Sequence, residues 1–429
     1  MEGVSNPKRW ATKARCDLYN YYAGYSPHFV QDVLNLYAVN DKTIVLDPWN
    51  GSGTTTRIAS RNGCEAIGYD INPVMAIVAL AHEIGINNLP SIPALWNNIL
   101  EKRDEGVVRL PDDPLLTWMD ESSCLLVRGL EQGIQKQLIS NHMYSPIIER
   151  GVSEISGIAA FFYLALFNTM RIELSMFGTT NPTWTKIPKD KEKVSLEECS
   201  FIRSMEDELD SLMVKYKNLD TSKEGVRKGK THLDVAESSN LPLPDDHVDL
   251  VISSPPYCTR LDYAMSTCIE LTLLGYSPSS SLKDLRRAMI GSPVIKKGMH
   301  YANQKLWGKS CNEFLNAVSL HKSKAARSYY HKTLAQYYDS IYCSLGEISR
   351  VLKKGGSCIL VVQDSYFKDV HNDVPKIVEE MCMVHHMNLV NKYEYQCSLN
   401  YVNINKRARA YRKGHATESV LIVKKGVDS

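Results

Sequence analysis

The stretch that most restricts what this chain can fold into is Thr43 to Thr56. Thr43-Ile44-Val45-Leu46-Asp47 is a short apolar run with strand character. It passes without a spacer into Pro48-Trp49-Asn50-Gly51-Ser52-Gly53-Thr54-Thr55-Thr56, and then into a helical pattern with Ile58 and Ala59. Strand, glycine-rich turn and helix in succession suit a nucleotide-like ligand. Gly51 and Gly53 let the backbone come close, and the helix N-terminus offers free N–H groups and a positive dipole end to a carboxylate. A second strand, Glu65 to Tyr69, ends in Asp70, close to the ~20-residue offset of a carboxylate that grips ribose hydroxyls. Asn72-Pro73 then starts the next helix. The pattern is neither the GxGxxG of dinucleotide sites nor a GxxxxGK phosphate loop, which argues against NAD and ATP. The bland alternative is that the threonine cluster only caps the helix.

A second stop of this kind lies further on. Val248 to Ser253 reads as a buried strand that runs into Ser254-Pro255-Pro256-Tyr257. Proline cannot donate to a sheet ladder, so the strand ends there. The Ser254 hydroxyl and the Pro255 carbonyl are expected at the carboxyl edge of the sheet, pointing outward, with the Tyr257 ring beside them. Two acceptors and a flat plate suit a heterocycle that bears an exocyclic amino group. Taken alone, a proline-stopped strand can also be a mere turn.

Between and around these stretches the pattern is uneven. Helical periodicity over 92–103, 117–139, 153–176 and 195–218 points to a helical insertion. Within it, Gly178 to Lys186 carries Trp184, which reads better as a polar connection than as a base-stacking platform. The apolar run Gly157 to Met170 falls short of the ~20 residues a bilayer needs, so a buried helix and no membrane are expected. Residues 280–332 hold eleven basic residues against two acidic ones. Tyr301, Trp307, Tyr329 and Tyr330 are interleaved with them, a composition that suits a phosphate backbone and unstacked bases. Tyr330 to Leu352 reads as a helix capped by Lys353-Lys354-Gly355-Gly356, followed by strands at Cys358–Gln363 and Leu389–Tyr395, with Ser419–Lys425 closing the sheet. The basic run Lys406 to Lys413 reads as a hairpin loop beside the same groove. The alternation of strands and helices makes the chain α/β and doubly wound.

The 11 cysteines among 429 residues are scattered, with no CxxC pair and no zinc-ligand spacing. Such a set fits reduced thiols in the cytoplasm and no metal. Cys258 follows Tyr257, but no Pro-Cys pair exists, so covalent attack on a pyrimidine ring is rejected.

Ser-Pro-Pro-Tyr at a strand end, with Asp-Pro-x-x-Gly-Ser-Gly-Thr-Thr between strand and helix, resembles the S-adenosylmethionine-dependent DNA amino-methyltransferases, and the serine form resembles the N4-cytosine type. The resemblance covers about 1–88, 231–275 and 333–428. It implies a Rossmann-like seven-stranded methyltransferase sheet with its last strands antiparallel. The chain then divides into a cofactor-binding half (1–88), a helical insertion (89–230), a catalytic part (231–275), a basic DNA-contacting insertion (276–332) and a C-terminal part of the core (333–429). It also implies S-adenosyl-L-methionine as cofactor, held by Tyr25, Ser26, Asp47, Pro48, Gly51, Gly53, Thr54, Thr55, Asp70 and Asn72, with Asp234 at the adenine. Ser254, Pro255, Pro256 and Tyr257 would be catalytic. Double-stranded DNA is the implied partner, with room for a cognate restriction endonuclease. One departure stands out: in many N4-cytosine enzymes the tetrapeptide precedes the cofactor loop, and here it follows. N6-adenine transfer on DNA, guanine-N2 transfer on RNA and a silent nucleic-acid-binding protein are the rival readings.

Overall fold

In the computed structural model the described residues are 4–7, 18–21, 24–139, 144–179, 184–219, 228–259, 261–295, 304–396 and 416–427. The chain opens with α1 (Pro27–Leu36), β1 (Ile44–Asp47), α2 (Thr54–Arg61), β2 (Glu65–Asp70) and α3 (Pro73–Ala81). The helices α4 (Ile92–Asp104), α5 (Glu121–Leu138), α6 (Ile147–Arg150), α7 (Gly157–Glu173) and α8 (Glu198–Leu219) follow. After β3 (Thr231–Val235) and β4 (Val248–Ser253) come α9 (Cys268–Leu273), α10 (Ser281–Ala288), α11 (Lys309–Leu320) and α12 (His331–Val351). The chain then forms β5 (Leu352–Gln363), β6 (Ser365–Phe367), β7 (Val370–Asn372), α13 (Val374–Val384), β8 (Met387–Gln396) and β9 (Thr417–Lys425).

Seven strands form one sheet in the order β3-β2-β1-β4-β5-β9-β8. β1 to β5 run parallel, and β9 pairs antiparallel with both β5 and β8. The order reverses between β1 and β4, the place where open α/β sheets leave a crevice at their carboxyl ends. β1 and β4 carry the two motifs.

The side-chain period of two sorts the strands onto two apolar layers. Val45, Leu250, Ile252, Ile359 and Val361 face α1 and α2. Leu46, Val251, Leu360 and Val362 face α11, α12 and α13. The hairpin β6–β7, too short to show periodicity, is not legible in the sequence.

Two sequence expectations need correction at the far side. Lys353-Lys354-Gly355-Gly356 does not cap a helix: α12 stops at Val351, and these residues already belong to β5. Gly355, at φ +74°, bends that strand where its register against β4 shifts. β9 also does not close the sheet. It lies inside, buried on both faces, and the half-exposed β8 forms the edge. The sequences carry the reason: Ser419-Val420-Leu421-Ile422-Val423 is apolar throughout, as an interior strand requires, while β8 alternates. The basic run 406–413 lies outside the described residues.

The helical segment does not stand apart. α7 is buried along Ala159 to Phe167 and packs against α3, α5, α8 and α9. One continuous apolar cluster joins α3, α4, α5, α7, α8 and α9, so α3 serves the sheet on one side and the helices on the other. Among the described residues no helix is long and apolar enough to cross a membrane. At the centre of the segment sits Arg128, 1% exposed. It donates to Asp113 through Nε and Nη2 at 3.0 and 2.8 Å, and through Nη1 to Glu131 and the Leu273 carbonyl at 2.9 and 2.8 Å. The last of these ties α5 to the end of α9. Removing one partner of such a network strands the remaining buried charges. Arg128→Ala is therefore expected to lower the unfolding free energy by about 3–5 kcal/mol, measured by urea titration.

Candidate active site

The carboxyl ends of β1 and β4 meet at Asp47. Its side chain is 1% exposed. It accepts from the Ser253 hydroxyl at 2.5 Å, the Trp49 amide at 3.1 Å and the Tyr25 hydroxyl at 3.3 Å. Burial pushes its pKa up, and hydrogen bonds from Ser253, Thr55, Trp49 and Tyr25 pull it back. Tyr25 and Thr55 hydrogen-bond each other, and both reach the Ile252 carbonyl, at 3.3 and 3.2 Å. The glycine loop after β1 is thereby bolted to the strand that ends in the tetrapeptide. Ser26, 9% exposed, is the residue before α1, which places the Tyr25-Ser26 turn against the same junction.

The loop itself has the shape that only glycine permits. Gly53 precedes α2 at φ +80°, and a Cβ there would lie 2.9 Å from the Ala79 Cβ on α3. Gly51, at φ +49°, lies under the Tyr21 ring. Pro48, Thr54 and Thr55 are buried, and no acidic residue occupies the first turn of α2. Its first N–H groups, which have no partner inside a helix, would meet no competing carboxylate there.

Asp70, at the end of β2, accepts from the Gly51 amide at 2.9 Å and the Asn72 amide at 2.8 Å. Burial, partly offset by these two bonds, raises its pKa to about 6. Each carboxylate oxygen keeps a lone pair beyond the one its amide uses, which suits a diol. The Asn72 side chain caps α3 by accepting from the Val74 amide at 3.1 Å, and donates to Thr267. Asp234 lies one strand further out, paired with Tyr69, and its carboxylate accepts from the Val235 amide at 2.7 Å. Asp70 and Asp234 thus stand at neighbouring strand ends.

The tetrapeptide is clamped group by group. The Ser254 hydroxyl does not point outward as expected: it donates to the Val361 carbonyl of β5 at 3.1 Å, an acceptor past the last β4–β5 pair. The Ser254 oxygen keeps lone pairs to accept with, and the hydroxyl also hydrogen-bonds the Tyr257 phenol. The Pro256 carbonyl accepts from the Tyr337 hydroxyl of α12 at 2.9 Å. The Tyr257 hydroxyl donates to Glu418 of β9 at 2.6 Å. Burial and the Glu418 carboxylate push the Tyr257 phenol far above its ordinary value, so it remains a donor. Among the described residues the Pro255 carbonyl accepts no hydrogen bond. Ser254 Oγ and this carbonyl are the two acceptors at the edge.

Tyr21, Tyr263, Tyr337 and Glu418 are not expected at the site from the sequence, where Tyr337 reads only as part of an apolar helical stripe. Three of them are tyrosines with no local motif around them, and only Glu418, an acid opening an apolar strand, carries a signal. Cys258 is 7% exposed and packs in the apolar core, in keeping with an inert thiol. The basic segment divides. Lys283, Lys305, Lys309, Lys322, Lys324, Arg327 and Lys332 are exposed. Arg286 instead makes two bonds to Asp262, at 2.9 and 2.7 Å. Trp307 is fully buried against α11, so it offers no face to a base, contrary to expectation. Tyr301, Lys296 and Lys297 lie outside the described residues, as do Thr180 to Thr183. Trp184 keeps 41% of its surface exposed.

A seven-stranded sheet with one antiparallel strand next to the edge, a glycine loop after β1 and an acid after β2 define the architecture of Rossmann-like methyltransferases. Residues 3–80 match the family model described as DNA methylase. The chain is 23% identical over 287 residues to the type II methyltransferase M.BsoBI of Geobacillus stearothermophilus, covering 65% of this chain and 56% of that protein. It is 26% identical over 145 residues to the type II methyltransferase M.AvaI of Nostoc, covering 32% and 30%. The chain thus spans about half the length of the first relative and less than a third of the second. Its likeness to DNA methylases is thus carried by residues 3–80 and by these partial alignments. Solved structures with similarity include a SAM-dependent methyltransferase of Methanosarcina mazei, 9% identical, covering 92% of this chain and 98% of that one at a TM-score of 0.32. Geranyl diphosphate methyltransferase in complex with SAM is 8% identical, covering 93% and 85% at 0.33. At those scores the likeness is too loose to bear on function.

Proposed function

We propose that this protein transfers a methyl group from S-adenosyl-L-methionine to the exocyclic N4 amino group of a cytosine extruded from double-stranded DNA. The observation that carries this reading is the pair of acceptors at the end of β4. Ser254 Oγ, bonded to the Val361 carbonyl, keeps lone pairs to accept with, and the Pro255 carbonyl accepts nothing else among the described residues. Two acceptors can take both hydrogens of one amino group and draw its lone pair out of ring conjugation. The choice of cytosine over adenine rests on the serine at position 254, and N6-adenine transfer is the nearest alternative.

The residues fit the cofactor. The Asp70 carboxylate suits the ribose hydroxyls, the first turn of α2 suits the methionine carboxylate, and Asp47, Thr54, Thr55, Tyr25 and Ser26 enclose that end. Asp234, at the neighbouring strand end, would accept from the adenine amino group. S-adenosylmethionine would supply an electrophilic methyl, whose C–S bond breaks with its electron pair going to sulfur as the amino nitrogen forms the new N–C bond. Tyr257 backs the base, and its ring is held by a hydroxyl bonded to Glu418. The amino nitrogen sheds its proton to solvent after transfer. Positioning of this kind supplies several kcal/mol of the barrier reduction. A base reaches such a site only by leaving the stack, and the exposed lysines of 283–332 would hold the flanking phosphates.

The test is to incubate the protein with S-adenosylmethionine and unmethylated duplex DNA, digest to nucleosides and identify the product by mass spectrometry. N4-methylcytosine is expected, and N6-methyladenine would overturn the base assignment. Ser254→Ala and Tyr257→Ala are expected to lower turnover by at least about 100-fold while cofactor affinity holds, the loss expected when groups that position the reacting atom are removed. A second expectation follows from Asp70. With its pKa at about 6, the carboxylate is ionised at pH 7.5 and able to accept both hydroxyls. As the pH falls through 6 it gains a proton and loses an acceptor. Cofactor affinity, followed by calorimetry, should therefore weaken between pH 7 and 5, and Asp70→Asn should bind weakly with little dependence on pH in that window.

A further inference from the structure

The start of β9 brings an acidic side chain against the tetrapeptide. Glu418 pairs through its backbone with Gln363 of β5 and Tyr395 of β8, and is 6% exposed. Ionised carboxylates are rarely buried so far without donors, and here the Tyr257 hydroxyl is 2.6 Å away. The place of Glu418 is itself fixed. Its neighbour Thr417 gives its amide to the Asp364 carboxylate at 2.7 Å and takes the Asp364 amide at 3.1 Å. Asp364 is also engaged by His371 of β7 at 2.9 Å. On the other side, the backbone just before Tyr257 is held by Tyr337. The Tyr257 ring is therefore pinned at both ends, at the backbone by α12 and at the hydroxyl by β9.

We propose that Glu418 is a positioning residue for methyl transfer: by accepting the Tyr257 hydroxyl it sets the plane of the ring against which the target base lies. This rests on the reading of Ser254 to Tyr257 as the transfer site. A carboxylate that merely held β9 in the sheet would have no reason to be coupled to Tyr257 in turnover.

The experiment compares the 429-residue chain with Glu418→Ala, Glu418→Gln, Tyr257→Phe and the Glu418→Ala/Tyr257→Phe pair on unmethylated duplex DNA. It reads kcat, KM for DNA, cofactor affinity and the unfolding midpoint. Glu418→Ala and Tyr257→Phe should each lower kcat about tenfold, the scale of one lost hydrogen bond, with cofactor affinity unchanged. The double variant should lose no more than either single one, since both remove the same bond. Glu418→Gln should recover most of the rate, because its amide oxygen still accepts. Losses that multiply to about 100-fold in the double variant overturn the proposal, as does a Glu418→Gln no faster than Glu418→Ala. So does a Glu418→Ala that shifts only the unfolding midpoint. Absence of transfer by the unaltered protein overturns the transfer-site reading together with this one, whereas transfer with multiplying losses overturns the role of Glu418 alone.

Discussion

The whole arrangement depends on one buried carboxylate. Asp47 ends β1, and its two oxygens collect the Ser253 hydroxyl from the end of β4, the Trp49 amide from the glycine loop and the Tyr25 hydroxyl from the segment before α1. A charge at that depth is tolerated only with donors around it. The need for donors draws three separated stretches of chain to a single point. The glycine loop and the Ser-Pro-Pro-Tyr turn are about two hundred residues apart, yet they share this anchor. The order of the two motifs along the chain therefore matters little to the geometry: β1 and β4 are neighbours in the sheet whichever comes first.

The sheet's central strands and both motifs were legible because local chemistry dictates them. Val248 to Ser253 forms β4 with the expected bounds, since two prolines must end it. Asn72-Pro73 starts α3, because asparagine caps and proline tolerates the first helical turn. The long amphipathic helices also fell near their expected positions. What failed was decided at a distance. The Lys353–Gly356 stretch looks like a helix terminus, but tertiary pairing with β4 draws it into β5. Trp307, set among lysines, reads as a surface aromatic, and packing with α11 buries it. The outward Ser254 hydroxyl was an error of the same type, since its acceptor, Val361, lies more than a hundred residues away.

The helical segment is not a separate unit. Its core is continuous with α3 and α9 rather than sealed off, and Arg128 ties α5 to the carbonyl of Leu273. α9 begins at Cys268, eleven residues after Tyr257. The core of the segment reaches Tyr263, Ala264 and Met265, six to eight residues past Tyr257. The basic surface of α10 to α12 lies on the other side of the tetrapeptide in the chain, so the two segments flank it in sequence.

If Ser254 Oγ and the Pro255 carbonyl hold the target amino group, the methyl of the cofactor must be delivered to the space between them. A crystal structure of the protein soaked with S-adenosyl-L-methionine tests it most directly. The expected result is ribose hydroxyls on Asp70, the methionine end beside Asp47 and Thr55, and the methyl directed at those two acceptors. A cofactor bound elsewhere, or one whose methyl points away from Ser254 and Pro255, would contradict it.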